Sequence, residues 1–347
     1  MMNRRKLLQG VVASVPAWLA WETSLADDQP TKTALGLTAA SLANWAAVKQ
    51  PSLAEFLARC RELGAAGMQT SLRILTPEQA AAIHREADEW DMYVEGSVKL
   101  PADRDDVARF DAEVRTAQDC GAKVLRTVAL DGRRYETFHD VESFRQFAER
   151  AWRSLALAER VIAKRKVRLA LENHKDWRVD ELLAGLKRLD SEYVGVCVDT
   201  GNSIALLEDP GEVVDAYAAW AFSVHFKDMG VRECAEGFLL AEVPLGDGFL
   251  ALDKIAGMLR TARPEVRFSL EMITRDPLRV PCLTEGYWST LAGLPGRELA
   301  RALAMVRGKA AEEPLPTVSE LTVEDRVRVE EENVRKCLAF ARERLHI

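Results

Sequence analysis

The feature that most constrains the fold is a regular alternation of short apolar, β-like runs with longer segments of helical periodicity. Eight such pairs follow one another from residue 34 onward. Strands that alternate with helices pair in parallel, and eight of them close into a barrel. We therefore predict an α/β fold of the (β/α)8 TIM barrel type rather than an open doubly wound sheet. No Gly-rich dinucleotide turn follows an early strand, which argues against the open sheet.

Hydrophobic periodicity and capping residues give approximate bounds for these elements. In segment 52–64, Ser52 suits the start of a helix, Gly64 suits its end, and apolar residues recur on one face. The predicted strands span 34–41, 66–72, 92–98, 122–130, 167–174, 194–202, 221–229 and 266–273. The predicted helices include 52–64, 76–90, 103–121, 141–165, 179–190, one that opens near Asp209, and 323–345.

Two segments are longer than a minimal barrel needs. About 26 residues (230–255) follow strand seven up to its helix, and a longer insertion at about 274–322 follows strand eight. Long loops after barrel strands lie on the face that carries barrel active sites. We predict one domain over 27–347 with extended loops after strands seven and eight. Within the insertion, 309–320 is predicted to be a mobile or linker-like piece.

The first 26 residues have the pattern of an export signal. Arg4, Arg5 and Lys6 precede a short apolar stretch, and small residues lead up to Ala26, where cleavage is expected. The twin arginines resemble a twin-arginine signal, with an ordinary secretory or anchor segment as the alternative. We expect a periplasmic or otherwise exported protein. No run of 18 apolar residues occurs, so we expect no stable membrane insertion after cleavage.

Charge and cysteine spacing narrow the classes of partner. The chain has 47 basic and 54 acidic residues and a formal net charge of -7, which argues against electrostatic binding of nucleic acid. Six scattered cysteines without a CxxC pair argue against a thiolate metal site. Cys60 and Cys197 lie in apolar segments and are predicted to be buried.

Polar side chains stand at the carboxyl ends of four successive predicted strands. Strand five ends in Glu172, strand six in Asp199, strand seven in His225 and strand eight in Glu271. These ends meet at one rim of a parallel barrel, so the four side chains would surround one point. Carboxylates that close repel each other unless a cation lies between them. This oxygen-rich set predicts a divalent metal site, with Mn²⁺ favoured and Mg²⁺, Co²⁺ or Zn²⁺ as alternatives.

Several motifs resemble those of the xylose isomerase-like TIM barrel superfamily and, more narrowly, its sugar phosphate isomerase/epimerase branch. The resemblance spans most of the mature chain, roughly 34–273 and the last helix, and is densest from 167 to 273. The motifs are ENH at 172–174, VDTGN at 198–202, VHFKDM at 224–229, PLGDGFLALDKI at 244–255 and SLEM at 269–272.

The resemblance implies a role for each matching residue. The metal ligands would be the four strand-end residues, and Glu172 and Glu271 would also form the catalytic acid/base pair. His174, Lys227 and Asp228 would line the site. Lys227 would stabilise negative charge on a substrate oxygen, with a salt bridge to a carboxylate as the alternative.

One position departs from the family pattern. Many members carry histidine three residues after the strand-six aspartate, where this chain has Asn202. An amide hydrogen-bonds a sugar hydroxyl but does not titrate, so a proton donor is lost there and the family's specific isomerase reactions are in doubt.

Trp45, Trp177 and Trp288 follow strands on the predicted active face and are candidates for stacking on a sugar ring, with ordinary packing as the alternative.

These features together predict a metal-dependent sugar isomerase or epimerase that acts on a keto-sugar or related polyol. The cation would polarise the carbonyl while a carboxylate removes an α-proton, which gives an enediolate. Two alternatives remain open: a metal-dependent lyase or hydrolase of keto-sugar glycosides, and a non-catalytic periplasmic sugar-binding protein. The expected partner is a small sugar, and a homo-oligomer is possible.

Overall fold

Eight parallel strands form a closed barrel in the computed structural model, which describes residues 33–347. The predicted export signal lies outside these residues. The strands close in the order β1-β10-β7-β6-β5-β4-β3-β2, which confirms the predicted (β/α)8 barrel. Their bounds are β1 Leu35–Thr38, β2 Gly67–Thr70, β3 Tyr93–Ser97, β4 Val124–Thr127, β5 Arg168–Glu172, β6 Val194–Asp199, β7 Ala221–Phe226 and β10 Arg267–Leu270.

Helices surround the barrel. Their bounds are α1 Ala43–Lys49, α2 Leu53–Glu62, α3 Pro77–Glu89, α4 Val107–Asp119, α5 Arg134–Thr137, α6 Val141–Arg165, α7 Val179–Leu189, α8 Pro210–Tyr217, α9 Leu252–Ala262, α10 Gly296–Gly308 and α11 Val323–Phe340. Short 3-10 segments span Ala39–Leu42, Asn202–Leu206, Ala218–Trp220 and Glu285–Thr290, and a π-helical turn spans Ala341–Leu345. No helix within residues 33–347 is long and apolar enough to cross a bilayer.

Local sequence explains where these helices begin. Ser52 caps α2 and Thr76 caps α3, each through a reciprocal box with the third helical residue, Glu55 or Gln79. The helix α6 spans the predicted range 141–165. The sequence analysis missed α1 because this helix has no buried residue, so it lacks the apolar stripe that marks an amphipathic helix.

The segment after β7, predicted as a long loop, contains two strands. Strands β8 (Asp228–Cys234) and β9 (Gly237–Val243) form an antiparallel hairpin, and β11 (Leu278–Val280) adds to β9. Val231 on β8 and Phe238 and Leu240 on β9 are fully buried. The insertion at 274–322 contributes β11 and α10, so the two extensions pack together instead of extending separately.

The piece predicted to be linker-like, 309–320, packs against this hairpin. The backbone N–H of Ala311 donates to the Val231 carbonyl at 3.0 Å. Leu315 is buried against Ala241 and Val243. The segment therefore packs on the hairpin at Ala311 and Leu315.

All six cysteines are free, and the predicted burial of Cys60 and Cys197 is confirmed. Both thiols are fully buried. Burial raises the pKa of each of these thiols, so both remain neutral.

Asp228 begins β8 and organises the turn that leads into α9. Its Oδ1 accepts from the backbone N–H groups of Met229 and Leu250 at 2.8 and 3.1 Å. Its Oδ2 accepts from Gly246 and Gly248 at 3.0 and 3.1 Å. Buried backbone N–H groups need acceptors, and the Asp228 carboxylate is the acceptor for four of them. Asp228, predicted to line the site, has these four backbone partners and fixes a loop.

We expect Asp228→Asn to lower the free energy of unfolding by about 2–4 kcal/mol, because an amide cannot accept on both sides and leaves two backbone N–H groups facing an NH2 group. Asp247→Asn, in the same loop at an exposed position paired with Lys336, is the matched control and should change stability by less than about 1 kcal/mol. Denaturant unfolding measures both. Equal effects of the two substitutions would show that the four hydrogen bonds to the Asp228 carboxylate do not stabilise the fold.

Candidate metal centre

Four barrel strands bring the predicted ligands to one point. Glu172 and Asp199 are the last residues of β5 and β6, His225 is the penultimate residue of β7, and Glu271 directly follows β10. One ligand atom from each lies within 4.8 Å of the others, and all four side chains are buried. Donor atoms about 2.1 Å from a six-coordinate ion are at most about 4.2 Å apart, so the spacing suits such an ion with small adjustments.

The ring of His225 is oriented by Gln69, which the sequence analysis did not single out. His225 Nε2 lies 2.6 Å from Gln69 Oε1. The Gln69 amide donates from its nitrogen to Glu95 at 2.8 Å, so its oxygen is free to accept from His225. The Nε2 atom therefore carries hydrogen, and Nδ1 faces Glu271 Oε1 at 3.2 Å and Glu172 Oε2 at 3.4 Å. This second-sphere bond is the usual way a ligating imidazole is held.

One buried atom at the centre, His225 Nδ1, lacks a hydrogen-bond partner. A buried polar atom without a partner is costly, and this one belongs to the four-residue cluster. Burial opposes protonation of His225, but the acidic groups around it outweigh burial and hold its pKa well above the usual range. The ring thus attracts positive charge at Nδ1, and the three carboxylates and the imidazole fit a hard divalent cation.

Basic side chains offset the carboxylates. Arg126, from β4, donates to Glu172 Oε2 at 2.6 Å. Lys227 Nζ lies 2.7 Å from Asp199 Oδ2 and 2.6 Å from Glu271 Oε2. Burial is the largest single influence and would raise the pKa values of both glutamates, but Arg126 and His225 together outweigh it at Glu172, and Lys227 and His225 together outweigh it at Glu271, so both pKa values fall below their usual range. Both glutamates are therefore ionised, and the predicted alternative of a salt bridge for Lys227 is present.

Asn202 connects the metal ligands to a lysine that the sequence analysis missed. The Asn202 amide donates to Glu172 Oε1 at 3.1 Å, and its oxygen accepts from Lys175 and, at 3.4 Å, from Lys227. Lys175 is 4% exposed. Burial, together with the charge of Lys227, lowers the pKa of Lys175 to about 8. Lys175 follows the ENH motif directly, but a lysine after a strand usually points to solvent, so sequence alone gave little signal.

The buried pair of Glu242 and Arg275, which was not predicted from sequence, comes from the two extensions after β7 and β10. Glu242 on β9 is buried and accepts from Arg275 Nη2 at 2.6 Å. The Glu242 carboxylate also lies 4.0 Å from Lys227 Nζ. Glu242 gave no signal in the sequence because its segment was predicted to be a loop.

The remaining predicted site residues differ in their surroundings. His174 Nδ1 lies 3.1 Å from the Gly132 carbonyl, and burial lowers the pKa of its ring to about 3, so the imidazole is neutral and donates there. Trp45 packs at 6.4 Å from Phe56, and Trp288 donates to the Cys282 carbonyl at 2.9 Å. Both tryptophans are partly exposed, and their stacking role stays a prediction.

Trp177 was predicted as a sugar-stacking residue, but the structure places it in packing. It is 4% exposed. Its ring lies 5.7 Å from Phe144 and Phe147 and 5.6 Å from Trp152, all on α6. Aromatic neighbours on α6 thus surround most of the ring. The sequence shows only that Trp177 follows β5 closely and not that the next turn directs it toward α6.

The closed parallel barrel and the ligand cluster at its carboxyl rim define a class of barrels with a candidate metal centre. A family model described as xylose isomerase-like TIM barrel matches residues 34–302. The chain therefore belongs to the xylose isomerase-like TIM barrel family, which confirms the resemblance drawn from its motifs.

Solved structures share this fold at low sequence identity. A D-psicose 3-epimerase determined in the presence of D-fructose has a TM-score of 0.58 and 13% identity, over 86% of this chain and 95% of that chain. A sugar phosphate isomerase/epimerase from Parabacteroides distasonis has a TM-score of 0.54 and 13% identity, over 96% of this chain and 100% of that chain. A xylose isomerase-like protein from Mycobacterium smegmatis in complex with magnesium has a TM-score of 0.50 and 18% identity, over 72% of this chain and 89% of that chain.

One curated relative is more similar over a shorter stretch. It is a 3-oxo-isoapionate decarboxylase from Pectobacterium atrosepticum, 33% identical over 103 residues. The matched stretch is 29% of this chain and 36% of that protein, so the chain spans about a third of the relative's length in this match.

We expect Mn²⁺, Mg²⁺ or Zn²⁺ to raise the thermal midpoint by about 4 °C at roughly 100 times its Kd, because the ion binds only the folded chain. Protons compete for Nδ1 and the carboxylates, so affinity should rise as pH is raised through neutrality. His225→Gln should remove the shift, whereas His84→Gln, at an exposed position on α3, should retain it. Thermal scans with and without chelator measure this, and an unchanged midpoint for all ions would contradict a metal centre.

Proposed function

We propose that the protein is a metal-dependent enzyme that isomerises or epimerises a keto-sugar through an enediolate. The observation that carries the proposal is the convergence of Glu172, Asp199, His225 and Glu271 within 4.8 Å at the carboxyl rim of the barrel. The magnesium in the Mycobacterium smegmatis relative and the epimerase among the solved structures support it. Mn²⁺ remains the favoured ion because the ligands are mainly carboxylate oxygens.

The residues of the chain have distinct parts in such a reaction. A divalent cation, when bound, supplies Lewis acidity that stabilises negative charge on substrate oxygen. Glu172 and Glu271 come from strands β5 and β10, which are separated in the barrel by β6 and β7, so the carboxylates approach from different sides. One carboxylate accepts the α-proton and the other side returns a proton. Lys227 holds Glu271 in place and places positive charge beside the developing oxyanion.

Solvent deuterium uptake tests the reaction. We expect purified, metal-loaded protein in D2O to introduce deuterium beside the carbonyl of a keto-sugar substrate, with D-fructose and 2-keto-D-gluconate as first candidates. Glu271→Gln should reduce the exchange rate by about 10²–10⁴-fold, because an amide accepts no proton. Glu285→Gln, at an exposed position in the insertion, is the control and should leave the rate unchanged. Exchange that survives chelation or Glu271→Gln would contradict the proposal.

A second candidate reaction is decarboxylation of a 3-oxo sugar acid. The supporting observation is that Glu172 and Glu271 are each held by a cation, Arg126 and Lys227, which weakens them as bases. Loss of CO2 needs no base: the bond to the carboxylate breaks, its electron pair remains as the enediolate, and solvent then supplies one proton. The 3-oxo-isoapionate decarboxylase similarity is consistent with this chemistry.

Release of CO2 distinguishes the two reactions. With 3-oxo-isoapionate as substrate in D2O, a decarboxylase should release CO2 at a metal-dependent rate and leave one deuterium in the product, without prior exchange into the substrate. Because the electron pair forms by loss of CO2, no substrate α-proton needs to be removed. A coupled CO2 assay with mass spectrometry of the product measures this. A rate equal to that of chelated protein would eliminate the second candidate.

We also propose that the enzyme acts outside the cytoplasm, as the N-terminal pattern suggests. Fractionation of cells that express the full chain tests this proposal, with Arg4→Lys together with Arg5→Lys as the variant that should retain the protein in the cytoplasm.

A non-catalytic sugar-binding role, the third alternative, would give tight sugar binding without deuterium uptake.

A further inference from the structure

Lys175 is a buried ammonium group without an acidic partner. Its hydrogen bond within residues 33–347 goes to the amide oxygen of Asn202, and no carboxylate oxygen of these residues lies within 4.0 Å of its Nζ atom. An amide oxygen neutralises no charge, and a buried charge without a counter-ion is expensive. An ammonium has three donors, so Lys175 has donors to spare for a ligand.

Lys227 provides the contrast within the same site. It is equally buried, yet it has two carboxylate partners, Asp199 and Glu271, at 2.7 and 2.6 Å. Lys175 and Lys227 both contact the Asn202 amide oxygen, so two positive charges share one neutral acceptor. Only one of these two charges is neutralised by an acid of the chain.

The charge balance of the site points the same way. Four acidic and four basic side chains carry the charge of the centre and its immediate surroundings, and two further buried acids nearby, Glu95 and Asp176, are left out of the balance because burial raises their pKa values. The acidic residues are Glu172, Asp199, Glu242 and Glu271, and the basic residues are Arg126, Lys175, Lys227 and Arg275. A divalent cation then leaves an excess of two positive charges beside a neutral imidazole. An anionic substrate balances this excess better than a neutral sugar does.

The geometry points to a carboxylate subsite at Lys175, so that the substrate is a keto-sugar acid whose carboxylate binds this ammonium beside Asn202. The inference rests on the proposed function for the sugar at the metal centre, and it holds for isomerisation and decarboxylation alike. Asn202 separates Lys175 from Glu172 by a single side chain, which places the carboxylate close to the ligand cluster.

A carboxylate fits better than a phosphate. One ammonium supplies a single charge, whereas a phosphate dianion usually binds several cations or a row of backbone N–H groups. Arg133, whose backbone forms a β-bridge with Lys175, already pairs with Glu136. The subsite therefore matches a monoanion.

Two probes that differ at one carbon test the inference. 2-Keto-D-gluconate carries a carboxylate where D-fructose carries a CH2OH group, and the remaining carbons match. We expect calorimetry on Mn²⁺-loaded protein to give at least tenfold tighter binding of the acid. Lys175→Met should remove this preference and leave the affinity for D-fructose within about twofold. Lys99→Met, at an exposed position on the rim after β3, is the matched control and should keep the preference.

Additional measurements keep failure interpretable. Lys175→Gln retains a donor for Asn202 without the charge, and it replaces Lys175→Met if the latter has a lowered thermal midpoint or lowered metal content. Equal affinity of wild-type protein for both probes, undetectable binding of the acid, or a preference that survives both variants overturns the inference, even if deuterium exchange is observed. Lysine-dependent preference without exchange or CO2 release would retain the subsite and reject the proposed reactions.

Discussion

Repulsion among buried carboxylates is the constraint on which the site depends. Glu172, Asp199 and Glu271 converge in an interior with little water, where like charges interact strongly. The barrel geometry forces this convergence, because parallel strands end at one rim. The chain answers it with Arg126 and Lys227 at the edges of the cluster and an imidazole whose free nitrogen faces the oxygens. The ligand set, its orientation and its chemistry follow from this balance.

The barrel and the convergence of the four candidate ligands were predictable from sequence for physical reasons. Strand and helix alternate with clear periods, and a polar residue at the end of an apolar strand has one place to go in a closed parallel barrel. The positions of Asp199 and His225 at strand ends therefore identify them as candidate ligands. The register between neighbouring strands then brings Asp199 beside His225 without any further information.

The residues around the ligands were harder to find. Arg126 stands inside an apolar strand, a signal that was available but unused. Lys175 lies in a loop, where a lysine has no preferred direction until the turn after β5 fixes it. Glu242 reaches the site only because an apparent loop folds into β8 and β9. Trp177 shows the converse, since proximity to a strand end says nothing about which neighbour a side chain packs against.

A single residue, Lys227, separates the end of β7 from the hairpin formed by β8 and β9. The outer sheet and the ammonium group of the site are thus anchored on one short stretch of backbone. A shift of the hairpin at its Asp228 end would therefore also move the ammonium group nearest to Asp199 and Glu271. The position of the outer sheet and the electrostatics of the centre are coupled through Lys227.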